Sequence, residues 1–63
     1  AARDAALAHA GVALTDTYEL EVEEELDERT PCYKVEFKAG GMEYEYKIDA
    51  RTGGVLTYEM DRD

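Results

Sequence analysis

The sequence predicts an α+β fold in which one N-terminal helix packs on one face of a four-stranded antiparallel meander sheet. Two observations predict the elements: the chain begins with an alanine-rich segment, and later segments alternate apolar with charged residues. Alternation with a period of two is the pattern of a half-buried strand. A third observation predicts the topology, because short turns, two of which contain a glycine pair, separate successive segments and favour antiparallel hairpins.

The helix is predicted over Ala1–Ala10, because alanine is the best helix former. His9 lies near its end, where a positive charge suits the helix dipole. Gly11 is placed to end the helix in the left-handed conformation, and Val12 can then fold back onto Leu7. The apolar side of this helix consists of small residues, which let it lie close to a sheet but cover little area.

The first strand is predicted in the segment TYELEVEEEL. Tyr18, Leu20 and Val22 are expected to point to one side, with Leu26 in the same phase, and the glutamates at odd positions to the other. The segment DERTP ends this pattern. Pro31 cannot donate a ladder hydrogen bond, so it belongs in the turn or at the start of the next strand.

The segments CYKVEFKA and MEYEYKID are predicted to form a hairpin around Gly40-Gly41. Two-residue hairpin loops require positive φ angles, which glycine adopts without strain. With these two glycines as the loop, every facing pair on the core side is apolar, so pattern and register agree. The predicted pairs are Ala39–Met42, Phe37–Tyr44, Val35–Tyr46 and Tyr33–Ile48.

A second hairpin is predicted at DARTGG, with Arg51–Gly53 as a three-residue loop and Gly53 in the left-handed conformation. Asp49 and Thr52 are expected to support this turn rather than to bind a ligand. A loop one residue longer would expose two of the large side chains that follow, so the burial pattern favours the shorter loop. The predicted pairs are Ile48–Leu56, Tyr46–Tyr58 and Tyr44–Met60.

Length and charge limit the classes of function. The chain has 63 residues, enough for one small domain, and its net charge is −9 with sixteen acidic against seven basic residues. That charge disfavours nucleic acids and anionic membranes and suits a basic partner. No apolar run approaches the ~20 residues that a membrane-spanning helix needs.

Catalysis, cofactors and metals are not predicted. The chain has no Ser, Asn, Gln or Trp, and His9 and Cys32 are its only histidine and cysteine. A Cys–His pair would need a third group to orient the base. Cys32 is in phase with Lys34 and Glu36, so its thiol is expected on the solvent-facing side, where Cys32→Ser should be nearly neutral. Alternating acids offer oxygen ligands for Ca²⁺ but lack the spacing of a calcium loop, which makes a Ca²⁺ site the weakest hypothesis.

A partner surface is predicted on the apolar side of the sheet. A ten-residue helix is only about 15 Å long and cannot cover four strands spaced about 4.8 Å apart. Exposed apolar patches usually mark interaction sites. Tyr44, Tyr58 and Met60 are therefore expected to contact another copy of the domain, a swapped helix or a different protein, with a symmetric homodimer as one hypothesis.

These motifs together resemble the PepSY domain, over nearly the whole chain. One departure is DERTPC, where family members often carry a short acidic-glycine turn. The matching residues are Ala10, Gly11 and Val12; Tyr33, Val35 and Phe37; Tyr44, Tyr46, Ile48, Asp49 and Ala50; and Thr52, Gly53, Val55 and Leu56.

The resemblance implies a non-catalytic domain of bacterial secreted or cell-surface proteins, including propeptides of metallopeptidases, membrane-anchored proteins and lipoproteins. The resemblance implies no catalytic residues. The usual role of such domains is inhibition or local regulation of peptidases. Residues 1–63 are accordingly expected to be a single domain excised from a longer secreted or membrane-anchored protein. Binding a peptidase is the first hypothesis, structural self-association the second and a Ca²⁺-dependent surface module the third.

Overall fold

A computed structural model describes residues 2–26 and 29–62 and confirms the predicted α+β architecture. The strands form one antiparallel sheet in the order β1-β2-β3-β4. Ala1 of the predicted helix and two residues of the DERTP turn lie outside the described residues. The elements are α1 (Ala2–Ala10), a short 3₁₀ helix (Leu14–Asp16), β1 (Tyr18–Glu25), β2 (Cys32–Ala39), β3 (Met42–Asp49) and β4 (Val55–Arg62).

The helix ends as the sequence predicts. Gly11 has a φ angle of +71°, and its N–H donates to the Ala8 carbonyl at 3.2 Å. The N–H of Val12 donates to the Leu7 carbonyl at 3.1 Å. These two bonds are those of a Schellman motif, which satisfies carbonyls at the end of the helix and turns the chain back towards the sheet.

The core lies between α1 and the two central strands, β2 and β3. The small side chains of the helix permit this close approach. Because α1 lies over the centre of the sheet, the apolar sides of the edge strands β1 and β4 are left largely uncovered. The buried cluster consists of Ala6, Leu7, Val35, Phe37, Tyr46 and Ile48.

The β2–β3 hairpin has the predicted register at all four apolar pairs. Gly40 and Gly41 have φ angles of +58° and +77°, the left-handed values that this two-residue loop requires. Local turn chemistry and the burial pattern therefore select the same pairing, which fixes the face to which every side chain of these two strands points.

The β3–β4 hairpin corrects one predicted pair. Tyr46–Tyr58 and Tyr44–Met60 are confirmed, but Ile48 lies opposite Val55 rather than Leu56. The Asp49 N–H donates to the Gly54 carbonyl at 2.8 Å, so the loop is one residue longer than predicted. A β-bulge then absorbs the extra residue before Thr57, and this leaves Leu56 44% exposed.

Gly53 is the position in this loop that requires glycine. Its φ angle is +76°, and a Cβ atom there would meet nothing within 4 Å. We therefore expect Gly53→Val to lower the free energy of unfolding by more than about 1 kcal/mol through backbone strain alone. Gly53→Asn is the control and should cost less, because asparagine tolerates the left-handed region. Equal urea midpoints for Gly53→Val and the native chain would contradict this loop geometry.

The start of β1 corrects a second prediction. A bulge lies between Tyr18 and Glu21, and Glu19 in this bulge has a φ angle of +53°. Tyr18 is thereby placed opposite Lys38, on the face away from α1 rather than in phase with Leu20. Alternation alone could not predict this, because an inserted residue reverses the phase of everything before it.

Cys32 corrects a third prediction. The strand phase is right, since Cys32 lies opposite Glu25 and Asp49 on the face away from α1. Its side chain is nevertheless only 2% exposed. The Ala50 N–H donates to the Pro31 carbonyl at 3.0 Å, which holds the chain after β3 against the start of β2, next to the thiol. Strand phase predicts the side to which a residue points, but not its depth.

Burial reverses the expected effect of Cys32→Ser. A hydroxyl loses more hydration than a thiol when it is buried, so this substitution should cost about 1–3 kcal/mol of unfolding free energy. Alkylation of the native thiol should be far slower than alkylation in urea, and the urea-unfolded chain provides the control rate. Equal rates in the two states would show that the thiol is exposed.

Candidate binding surface

Aromatic side chains stack across three neighbouring strands on the helix side of the sheet. The ring centroids of Phe37 and Tyr46 are 6.2 Å apart, and those of Tyr46 and Tyr58 are 5.6 Å apart. Tyr44 stacks on Phe37 at 4.9 Å. Such offset contacts add to the stabilisation from burial. The stack passes from the buried core at Phe37 to the exposed strand β4 at Tyr58.

His9 connects the end of α1 to this stack. A hydrogen bond of 3.0 Å joins His9 Nδ1 and the Tyr46 hydroxyl. The His9 ring also lies 4.8 Å from that of Tyr58. Burial raises the pKa of Tyr46 above its usual value, because the charged form loses hydration. Through these two contacts, His9 holds the rings of Tyr46 and Tyr58 in place. His9 and Cys32 lie on opposite sides of the sheet, so they do not form a pair.

The predicted partner residues Tyr44, Tyr58 and Met60 form one continuous patch, called here the β4 apolar surface. Tyr44 lies directly opposite Met60, and Tyr58 is in the next core-side pair. Tyr58 and Met60 are each 52% exposed, whereas Tyr44 is half-buried. The register thus brings together residues that the sequence separates by up to sixteen positions. That they bind a partner remains a prediction.

The opposite side, called here the outer face, carries a row of glutamates that runs across the whole sheet. Lys34 lies next to this row, with Nζ 3.2 Å from Glu36 and 3.9 Å from Glu45. The hydrogen bond to Glu36 is the main cause that raises the pKa of Lys34. The sequence shows that acids alternate, but only the register shows that they align. The row is Glu21, Glu36, Glu45 and Glu59.

Three carboxylates of the outer face come close enough to share a cation. Oxygens of Glu21, Glu23 and Glu36 lie within 4.8 Å of one another, and the first two residues are exposed. Lys34 already neutralises Glu36. A Ca²⁺ shell needs six to eight oxygens, so these residues supply part of a shell on an open surface.

Asp49 and Thr52 support the second turn, as the sequence predicts. Asp49 Oδ1 accepts hydrogen bonds from the N–H groups of Arg51 at 2.7 Å and Thr52 at 3.2 Å. These bonds, led by that from Arg51, lower the pKa of Asp49. Thr52 Oγ1 in turn accepts from the Gly54 N–H at 3.1 Å. Both side chains are used by the loop itself.

A helix packed on a four-stranded antiparallel meander defines the class of small α+β domains. The sequence model of the PepSY family, described as "Peptidase propeptide and YPEB domain", matches residues 1–59. The chain therefore belongs to the PepSY family. No curated protein and no solved structure gives a significant match.

Family membership gives a general role. PepSY domains are generally propeptide or regulatory modules that take part in protein interactions with peptidases, and they are not typically catalytic. They occur in secreted or cell-surface proteins. Among the described residues, no helix combines the length and the apolar character that crossing a membrane requires.

Proposed function

We propose that this chain is a non-catalytic module that binds an extracellular peptidase and inhibits or locally regulates it. The observation that supports this most is the β4 apolar surface, which α1 leaves open in a domain whose family interacts with peptidases. In this proposal, residues 1–63 are one domain of a longer bacterial protein that is secreted or anchored at the cell surface, for example as a lipoprotein.

The composition of the β4 apolar surface suits protein recognition. Tyrosine and methionine are enriched at interfaces, and tyrosine is common among the residues that dominate binding energy. Tyr58 is held from two sides, by Tyr46 at 5.6 Å and by His9 at 4.8 Å. Binding would therefore restrict a side chain that is already ordered, which lowers the entropic cost of association.

The charge of the chain supports a basic partner surface. A net charge of −9 creates a field that speeds encounter with positively charged surfaces. Peptide-bond hydrolysis by this chain is not part of the proposal, since His9 binds Tyr46 on the helix side and Cys32 is buried on the outer face. The module acts by occupying a peptidase surface.

An inhibition assay tests this function. The purified domain is added to secreted peptidases of the source organism, and hydrolysis of casein is followed. We expect hydrolysis to slow in a saturable manner with increasing domain concentration. A small acidic protein of equal net charge is the control for non-specific electrostatics and should have no effect. Unchanged hydrolysis by every secreted peptidase at saturating domain would contradict the proposal.

Self-association is the second candidate function, and the exposure of Tyr58 and Met60 favours it. A symmetric homodimer would bury the β4 apolar surface against its own copy. Each copy carries a charge of −9, which opposes this pairing. Sedimentation equilibrium at micromolar concentration decides: a dimer that dissociates on Met60→Ser would support self-association, and a monomer throughout would exclude it.

A Ca²⁺-dependent module is the weakest candidate, and it depends on the carboxylates of Glu21, Glu23 and Glu36. Calcium binding only to the folded state would raise the melting temperature in proportion to the logarithm of its concentration. The test is a calcium titration of the native chain beside Glu21→Gln. An equal response of the two proteins would exclude a site at these residues.

A further inference from the structure

We propose that β4 is a docking edge, at which an extended peptidase segment that alternates apolar residues with Lys or Arg adds to the sheet as a fifth strand. This inference rests on the proposed function and specifies how the peptidase is held. Strand addition is an established mode of peptide recognition, in which main-chain hydrogen bonds supply affinity and alternate side chains supply specificity.

The register identifies which backbone groups β3 directs towards β4. A two-residue loop at Gly40-Gly41 makes the flanking pair Ala39–Met42 a hydrogen-bonded pair, and such pairs alternate along an antiparallel ladder. Even-numbered residues of β3 therefore bond to β2, and odd-numbered residues bond to β4. The 2.8 Å hydrogen bond that the Asp49 N–H donates towards β4 agrees with this assignment.

The same alternation continues into β4. Its odd-numbered residues pair with odd-numbered residues of β3, so their backbone groups are used within the sheet. The N–H and C=O groups of Tyr58, Met60 and Arg62 consequently point outward at the open edge. Tyr58 and Met60 also carry exposed apolar side chains. Backbone bonding groups and apolar contact area thus come from the same residues.

An added strand would meet two different surfaces on its two sides. On the helix side, it would lie beside Tyr58 and Met60. On the outer face, it would lie beside Glu59 and Asp61, which form no ion pair with any basic side chain of the described residues. Opposite charges in facing positions stabilise a strand pair, so the best partner alternates apolar with basic residues.

The other edge of the sheet is less suited to strand addition. β1 contains a bulge at Glu19, which interrupts regular pairing, and most of its remaining residues are glutamates. Bulges are a usual protection of an edge strand, and Glu24 lies on the helix side opposite Tyr33, where an alternating partner would place an apolar residue. β4 also begins with a bulge, but its register is regular over the six residues from Thr57 to Arg62, with the apolar residues Tyr58 and Met60 on the helix side. A second copy would bring another acidic β4, so charge favours a basic segment over self-pairing.

The first test uses an acetylated Val-Lys-Val-Lys-Val-Lys-Val peptide as the probe. Amide hydrogen exchange of the ¹⁵N-labelled domain is followed by NMR, with and without the peptide. We expect exchange at Tyr58, Met60 and Arg62 to slow by about tenfold or more, as newly bonded amides require, while the amides of Thr57 and Glu59 change little. A Val-Glu peptide of equal length is the control and should not bind. Saturation with the Val-Lys peptide without this alternating protection would overturn the proposal.

A pair of variants separates backbone from side-chain contributions. Met60→Ala removes the side chain and keeps the outward N–H, whereas Met60→Pro removes both at an edge position that tolerates proline. We expect Met60→Pro to weaken peptide binding roughly tenfold beyond Met60→Ala, as the loss of a main-chain hydrogen bond implies. If Met60→Pro does not fold, a probe N-methylated at alternate residues tests the same bonds from the other side. Equal affinity of methylated and unmethylated probes would overturn strand addition.

Peptidase inhibition distinguishes the two proposals. If the native domain and Met60→Pro inhibit a peptidase equally, the proposed function stands and strand addition is wrong. If the peptide binds with the expected protection but no secreted peptidase is slowed, β4 is a docking edge and the peptidase is the wrong partner. Inhibition that Met60→Ala weakens and that Met60→Pro weakens roughly tenfold further would support both.

Discussion

Replacing Tyr46 with alanine is expected to cost about 3–5 kcal/mol of unfolding free energy, the usual range for removing a large buried aromatic side chain. Tyr46 is 1% exposed and lies between Phe37 and Tyr58 in the aromatic stack. A domain of this length is stable by only about 3–9 kcal/mol, at roughly 0.05–0.15 kcal/mol per residue. Tyr46→Ala should therefore remove a large part of this stability, as the shift of the urea midpoint followed by circular dichroism can measure.

Two control variants locate this effect. Tyr46→Phe keeps the ring and loses only the hydrogen bond to His9, so it should cost about 1 kcal/mol. Tyr18→Ala removes a tyrosine that is 47% exposed on the outer face, and it should cost less than about 1 kcal/mol. Equal loss of stability in Tyr46→Ala and Tyr18→Ala would mean that Tyr46 is not the centre of the core.

The double substitution Tyr58→Ser with Met60→Ser is expected to weaken peptidase binding by roughly 100-fold or more, if both side chains act as dominant interface residues. Each side chain is 52% exposed in the free domain. The free energy of unfolding should therefore fall by less than about 2 kcal/mol, well below the effect of a core substitution. Isothermal titration calorimetry against the inhibited peptidase measures the affinity, and urea unfolding measures the stability.

A matched double variant at the opposite edge provides the control. Tyr18→Ser with Leu26→Ser removes two apolar side chains that are 47% and 49% exposed, near the two ends of β1. This variant should bind the peptidase like the native domain. An equal loss of affinity in the two double variants would show that exposed apolar area in general, rather than the β4 apolar surface, determines binding.

The parts of the fold that the sequence predicts are those in which two independent signals agree. The β2–β3 register follows from the apolar alternation and from Gly40-Gly41, and every predicted pair is present. Single signals failed at bulges, because one inserted residue changes the phase of Tyr18 and the partner of Ile48. Cys32 shows another limit of the sequence pattern. Alternation predicts the face of the sheet on which its side chain lies, but its burial depends on the chain after β3, which packs against the start of β2.

The sequence predicts the exposed apolar residues of the candidate site, but not the contacts that hold them in place. Comparing the length of one helix with the width of four strands predicts that Tyr58 and Met60 stay open, and both are exposed. The role of His9 could not be predicted, because its contact with Tyr46 spans 37 positions and depends on where the helix lies. The outward backbone of β4 likewise becomes evident only when the register is known.

Chemical-shift mapping on the ¹⁵N-labelled domain tests the central claim most directly, by titration with a secreted peptidase that the domain inhibits. We expect the largest shift changes at Tyr44, Tyr58 and Met60, in the part of the helix side of the sheet that α1 does not cover. The double variant Tyr58→Ser with Met60→Ser should abolish them at the same peptidase concentration. Changes confined to the outer face, around Glu36 and Glu45, would contradict this account and assign binding to the charged side of the sheet.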